Sequence, residues 1–319
     1  MTAIGIDMSK STFHAACDET TVRIFGNTEE GITAFFEGLA SCGLAKEETT
    51  IGVEATGAYH LLLAASCLRS GWRIVTLNPL AASLAIKAQS LRKVKTDRAD
   101  ALAIRKMVLS GQGHPFTDTD GIIALKALVV ERQGLVAMRS MLKGQQEAHA
   151  TKQKAVTLIL HDSFSPVLAA LQKEIRAIER RFDGHRLDAQ ELLRSIPGVG
   201  TVTAATLVAV IGDVTRFSSP EKLVAYVGLD CRVHESGTSV HGKGSITKRG
   251  NGQLRHALFN AAFVARQKNP MLKAYFEKKV GEGKHYTSAL CAVERKLIHL
   301  IWAVWKRGTP YEERESTGV

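Results

Sequence analysis

The sequence predicts an α/β domain followed by a mainly helical remainder, and three observations carry that prediction. Short apolar runs separated by polar turns fill the N-terminal part, first in succession and then alternating with helical patterns. From Asp120 onward the residues are strong helix formers, with apolar positions recurring at helical spacing. At 319 residues, 45% of them hydrophobic, the chain is long enough for two domains with cores of their own.

Taken in order, residues 3–8, 12–16 and 21–25 read as three strands of an antiparallel start. Asn27-Thr28 caps a helix over Glu29 to Ala40, Thr50 to Glu54 forms a fourth strand, and a helix follows from about Tyr59 to Arg69. Arg73 to Leu77 is a fifth strand, closed by Asn78-Pro79. Three strands followed by alternating helices and strands is the order of a ribonuclease H-like domain, an analogy of fold in which strand ends carry acidic residues.

Four acids occupy such positions. Asp7 follows the run Ala3 to Ile6, and Glu54 follows Thr50 to Val53. Asp97 and Asp100 lie at a helix start in Lys95-Thr96-Asp97-Arg98-Ala99-Asp100 and share a helix face. Carboxylates crowded together repel unless cations hold them, and paired metals are a device for in-line attack on a phosphodiester. The alternative is local: Asp97 as an N-cap, Asp100 as a capping-box partner, and Asp7 or Glu54 closing a turn. Just upstream, Lys87, Arg92, Lys93 and Lys95 run without an acid and read either as a phosphate contact or as a solvated face.

Composition narrows the partners. Forty-two Lys and Arg against 31 Asp and Glu give a formal +11, which favours a polyanion. No apolar run approaches membrane-spanning length and the N-terminus lacks a signal-peptide progression, so nucleic acid is preferred over a membrane. The 5 cysteines are scattered, with no C-x-x-C pair, which argues against a disulfide framework or a zinc site and fits the cytoplasm.

Residues from Asp120 to about Leu193 form two helices broken at His161 to Pro166, either a dimerisation arm or spacer, or an intramolecular hairpin. Ser195-Ile196-Pro197-Gly198-Val199-Gly200 then opens a helix over Thr201 to Ile211. Gly198 and Gly200 have helix-hairpin-helix spacing, which would offer backbone N–H groups to a phosphate, or they form an ordinary capped turn. Phe217 to Pro220 caps a helix through Val227, and Val233 to Ser239 reads as a polar turn containing Ser236. From Gly237 to His256 the chain holds Lys243, Lys248, Arg249 and Arg255 and no acid. Ser245 or Thr247 caps the next helix, with Asn251-Gly252 as an alternative start, and periodic helix continues through Leu297 to Trp305.

In this order, Ile4 to Asp7, Val53 to Gly57, Asn78-Pro79, Lys95 to Asp100, Ser195 to Gly200, Glu235-Ser236-Gly237 and Ser245 to Asn251 closely resemble the DEDD-type insertion-sequence transposases, also called bridge-RNA-guided serine recombinases. The resemblance covers nearly the whole chain. It implies a RuvC-like domain over 1–115, a helical coiled-coil segment over 116–190 and a transposase domain over 191–319. By motif, Asp7, Glu54, Asp97 and Asp100 fall on the family's metal-binding acids, and Ser236 on its nucleophilic serine. The implied cofactor is Mg²⁺, with Mn²⁺ as a substitute. The implied partners are the DNA of the element ends and target, a guide RNA encoded by the element, and further copies of the chain as dimers and tetramers. Nucleic-acid contacts are expected from Lys87, Arg92, Lys93, Lys243, Lys248 and Arg249. Near the serine the chain departs from its relatives, with Asp230-Cys231-Arg232-Val233-His234 where a proline, arginines and an aromatic are usual. His234 is expected to donate a hydrogen bond and not to act as a base.

Three other readings compete. A Holliday-junction-type endonuclease would use the four acids with water as nucleophile and would not need Ser236. An actin-like ATPase would share the opening strand but should carry further glycine-rich phosphate loops, which are missing. A nucleic-acid-binding protein without chemistry would use the basic stretches alone.

Overall fold

The computed structural model describes residues 2–55, 59–89, 96–156, 163–184, 187–231 and 246–313. They form two compact units, Met1–Asp120 and Gly121–Val319.

The first unit is built on a mixed sheet. Strands β1 (Thr2–Met8), β2 (Thr12–Ala16) and β3 (Val22–Gly26) pair antiparallel, β4 (Thr49–Glu54) runs parallel to β1, and β5 (Arg73–Leu77) parallel to β4. A short strand absent from the sequence reading, β6 (His114–Pro115), closes the β5 edge, giving the order β3-β2-β1-β4-β5-β6. Its two residues carry no periodicity that would reveal a strand. Helix α1 (Glu29–Ser41) starts where the Thr28 side chain accepts from the Gly31 N–H at 3.2 Å, with Glu29 and Glu30 in the first turn. Phe35 of α1 then packs edge-on against Phe13 and Phe25, joining the helix to β2 and β3. Helices α2 (Leu61–Arg69), α3 (Pro79–Gln89) and α4 (Asp97–Leu109) follow.

Two glycines let α4 lie directly on the sheet. A Cβ on Gly5 would stand 2.2 Å from both the Ala101 carbonyl oxygen and the Arg105 nitrogen, and a Cβ on Gly52 2.1 Å from Val108 Cγ2. Any side chain at Gly5 would strike helix backbone. Arg105 Nε also donates to the Ala3 carbonyl at 3.0 Å. With Arg105 reaching Ala3, α4 runs antiparallel to β1, and its start lies toward the end of β1 that carries Asp7.

The second unit begins with a long helix, α5 (Asp120–Val156), and its partner α6 (Phe164–Gly184). They form an intramolecular hairpin held by Arg132 to Glu179 (2.7 Å), Arg139 to Gln172 (2.6 Å) and Gln146 to Ser165 (3.0 Å). Helices α7 (Asp188–Arg194), α8 (Thr201–Ile211), α9 (Pro220–Val227), α10 (Gly252–Lys268), α11 (Pro270–Gly281) and α12 (Tyr286–Arg307) complete it. Apolar almost all round, α8 is buried from Thr203 to Ala209 and again at Ile211, as such a helix must be. Among the described residues no helix is long and apolar enough to cross a membrane.

Candidate active site

Strand alternation brings the acids to one end of the sheet. Gly5 and Asp7 are two residues apart on β1, so they leave the same face, and Gly52 and Glu54 do so on β4. Both glycines face α4, so both carboxylates lie on the α4 side. Ile6 pairs with Val53 in the parallel ladder, which sets Asp7 and Glu54 one step further along neighbouring strands. From Gly5 to Asp7 the strand advances about 6.6 Å. Going back from Ala101 to Asp97, the antiparallel helix advances about 6 Å the same way.

At the helix start the local alternatives fail for a stated reason. Thr96 is the N-cap, its side chain accepting from the Ala99 N–H at 3.2 Å, and Asp97 is the first helical residue. The Asp97 carboxylate is therefore not spent on capping, and its side chain is 61% exposed. Asp100 lies one position past the capping-box place and is buried at 4% exposure. The positive end of α4 favours both carboxylates. His14, opposite Asp7 on β2, places Nδ1 3.8 Å from Asp97 Oδ2. The sequence reading missed it, although the alternation of β2 sets His14 opposite in facing to buried Phe13 and Ala15, on the α4 side with Asp7. Among the described residues no three His, Cys, Asp or Glu side chains converge closely enough to enclose an ion. The donor set is nonetheless all carboxylate, with no thiol, which suits hard divalent cations.

The residues expected to carry the second part of the chemistry are mostly out of view. Ser236, His234, Lys243, Arg92 and Lys93 lie outside the described residues, and Lys87 falls in α3 with its side chain outside them. What is described is the base from which segment 232–245 departs. Cys231 and Ile246 form an antiparallel bridge, Thr247 N–H donates to Asp230 O at 2.9 Å, Lys248 N–H to Gly228 O at 3.1 Å, and Asn251 N–H to Tyr226 O at 3.2 Å. The Thr247 hydroxyl also bonds the Asp230 carboxylate. Arg255 of α10 donates Nη1 to the carbonyls of Val227 (2.8 Å) and Gly250 (2.9 Å), clamping both sides. Gly228 sits at φ 81°, and a Cβ there would meet Gly250 N at 2.8 Å. Lys248 has φ 54°, in the left-handed region that side chains avoid.

Beneath this base, α12 buries Glu294 at 2% exposure. Burial pushes its carboxyl up to about 7, against a hydrogen bond with Cys291 and the positive charge of Arg255, which pull it down. Burial and then Glu294 raise the Cys291 thiol to about 11, and Arg295 Nη1 lies 3.2 Å from Cys231 Sγ. Sequence reasoning did not single out Glu294. The available signal was an acid on the apolar stripe of α12, among Leu290, Val293, Leu297 and Ile298.

The remaining candidates divide. Gly198, at φ 105°, faces inward, where a Cβ would stand 2.4 Å from Ala265 Cβ, so close packing on α10 accounts for it. Gly200 is the N-cap of α8, with open space where a side chain would point. The helix after the serine segment starts at Gly252 behind Asn251, whose side chain accepts from Leu254 N–H at 3.0 Å; Ser245 and Thr247 do not cap it.

Comparison with known proteins matches two stretches of the chain. Residues 4–152 match the transposase family DEDD_Tnp_IS110, and residues 190–277 match the Transposase IS116/IS110/IS902 family. The chain is 29% identical to a pilin gene-inverting protein of Moraxella lacunata over 98% of each chain. It is 27% identical to the transposase for insertion sequence element IS1328 of Yersinia enterocolitica, over 98% of this chain and 99% of that one. A 43.6 kDa protein of insertion element IS110 in Streptomyces coelicolor is 36% identical over 50% of this chain and 40% of its own length. A mixed-sheet domain with acids at its strand ends and a helical domain matched by a second transposase family make this chain a DNA transposase of the IS110/IS116 family of DEDD transposases.

Proposed function

We propose that the chain cuts and rejoins DNA at the ends of an insertion sequence and at its target, through Ser236 and a divalent cation held by Asp7, Glu54, Asp97 and Asp100. The observation that carries this reading is the placement of Asp7 and Glu54 on the α4 face of adjacent strands, at the end where Asp97 and Asp100 begin α4. The sheet order and parallel β1, β4 and β5 fit a RuvC-like, ribonuclease H-like domain. Four hard carboxylates suit Mg²⁺, with Mn²⁺ as a substitute. When bound, the cation supplies charge neutralisation at the phosphate and lowers the pKa of a coordinated hydroxyl.

The roles of the chain's own residues follow. The acids orient the site and hold the cation in place. Ser236 Oγ forms a bond to phosphorus as the bond from phosphorus to a deoxyribose oxygen breaks, and that oxygen leaves with a proton. The reverse displacement by a new strand's hydroxyl restores the serine, so the strand is joined without an outside energy source. Inversion, as in the name of the Moraxella relative, and transposition both need this exchange of strands. Lys248 and Arg249 at the described base, with Lys87, Arg92, Lys93 and Lys243, would contact phosphates, and the formal +11 supports a polyanionic partner. The resemblance adds a guide RNA and assembly as dimers and tetramers. Exposed Val130, Met138 and Met141 on α5 leave apolar surface for a further copy.

The test is the formation of a denaturation-resistant protein–DNA adduct by the protein co-expressed with the non-coding flank of its element. The adduct should need Mg²⁺ or Mn²⁺ and vanish in Ser236→Ala and in Asp7→Ala. Cleavage that survives Ser236→Ala without an adduct would replace this reading with a water-using DEDD endonuclease.

A further inference from the structure

Outside the candidate site, the second unit carries an exposed surface of aromatic rings and cations on α10, α11 and the start of α12. Phe259 and Phe263, one turn apart on α10, are 39% and 43% exposed, and Tyr286 is 44% exposed. The Arg266 guanidinium lies 4.5 Å from the Phe263 ring centroid, 5.2 Å from that of Phe276 and 5.4 Å from that of Tyr286. Phe276 and Tyr286 meet edge-on at 5.4 Å. Arg266 thus gathers the Phe263, Phe276 and Tyr286 rings into one cluster, with Phe276 half-buried against the core, and its Nε is buried with no hydrogen-bond partner among the described residues. Leaving large rings exposed costs hydrophobic free energy that burial elsewhere would recover.

We infer that this surface is a stacking platform for unpaired DNA bases. Charge decides against a second copy of the chain: from Gly252 to Arg307 basic residues outnumber acidic ones, with Lys268 and Lys284 flanking Arg266 and Tyr286 in sequence. A two-fold contact would set these like charges against each other. A DNA strand instead brings phosphates to the cations and bases to the rings. Duplex DNA satisfies only half of this, because its base faces are already stacked. The platform lies on the helix that starts directly after the base of segment 232–245, where strand exchange would release unpaired bases. The inference rests on the proposed strand-joining reading in that one respect.

The experiment measures binding of the full chain to labelled oligothymidylate of about 15 nucleotides, a length within the range one such site covers, to a duplex of equal length and to oligouridylate, across a salt series. Phe263→Ala and Tyr286→Ala should each weaken oligothymidylate binding about tenfold or more, leave duplex binding unchanged and leave the salt slope unchanged, since no charge is removed. Phe263→Trp should restore the affinity. Arg266→Gln should weaken binding and flatten the slope by about one. Unaltered oligothymidylate binding in both alanine variants, with their thermal unfolding unchanged, overturns the platform. So do tighter binding of oligouridylate than of oligothymidylate, which assigns the surface to RNA, and ring variants that change oligomeric mass instead. A parent that binds duplex but no single strand overturns the platform and leaves strand joining standing. A parent that binds neither overturns both.

Discussion

At Gly5 a helix rests on a strand, whereas at Gly228 a turn rests on a turn. In the first case the missing side chain lets a regular element, α4, settle on two others, and the acids inherit their places from strand alternation and helix rise. In the second, Gly228 and Gly250 bring two irregular stretches into backbone contact, and a single arginine bonds carbonyls on both sides. The acids thus stand on a frame that is fixed as the core forms. The serine segment departs from a clamp made of individual bonds. The frame therefore yields to added volume, and the clamp to a change of charge or backbone conformation.

The largest effect should come from volume. Gly5→Val places its Cβ about where Ala101 O and Arg105 N already are, and backbone cannot yield as a flexible side chain can. Overpacking of this kind costs at least about 3 kcal/mol and displaces α4. Urea unfolding should show that loss, or no folded first unit at all, together with loss of metal-dependent activity. A variant that keeps both stability and activity would mean that α4 does not lie on β1 as described.

The same contrast explains what could be read in the sequence. The strand-end positions of Asp7 and Glu54 were legible because strands have a period of two and end in recognisable turns, and the helix-start positions of Asp97 and Asp100 because helix starts carry caps. The local alternative, with Asp97 as the cap, is set aside by one bond: threonine and aspartate both cap well, and the bond from Ala99 N–H decides for Thr96. Gly198 has a spacing that fits a phosphate-binding turn or a packed one, and its close approach to Ala265, far away in sequence, could not be read locally. The contacts of His14, Arg255 and Glu294 were illegible because their partners lie on other elements, and no local period links Arg255 to Val227 or Glu294 to Arg255. The resemblance supplied Ser236, which local pattern alone would have left as one more polar turn.

Charge gives the intermediate effect. Glu294 has its carboxyl raised from 4.5 to about 7 in the folded chain, chiefly by burial. Between those values the unfolded chain has released its proton and the folded chain has kept it, so stability falls as pH rises through this window. Below 4.5 the contribution is fully present, and above about 7 it is lost, at a cost on the order of 3 kcal/mol. Glu294→Gln carries no ionisable group there, so it should unfold with a smaller loss between pH 5 and pH 8 than the parent does. Equal slopes in parent and variant would remove Glu294 from beneath the clamp and leave Arg255 to act without it.

Backbone conformation gives the smallest effect. Lys248 holds φ 54°, which costs a side-chain-bearing residue about 1 to 2 kcal/mol that glycine does not incur, while glycine loses up to about 1 kcal/mol more entropy on folding. Lys248→Gly should therefore stabilise the second unit by under about 1 kcal/mol, measured by denaturant midpoint at unchanged slope. Such strain persists where the surroundings over-determine it, and the Lys248 N–H bond to Gly228 O, between two stretches also joined through Arg255, is such a setting. If the glycine variant is more stable yet joins strands more slowly, with DNA binding reduced and its salt slope flattened by about one, the lysine was retained at that φ for its charge. If it is more stable and joins strands as the parent does, the strain is incidental to the clamp and the bonds around Arg255 suffice.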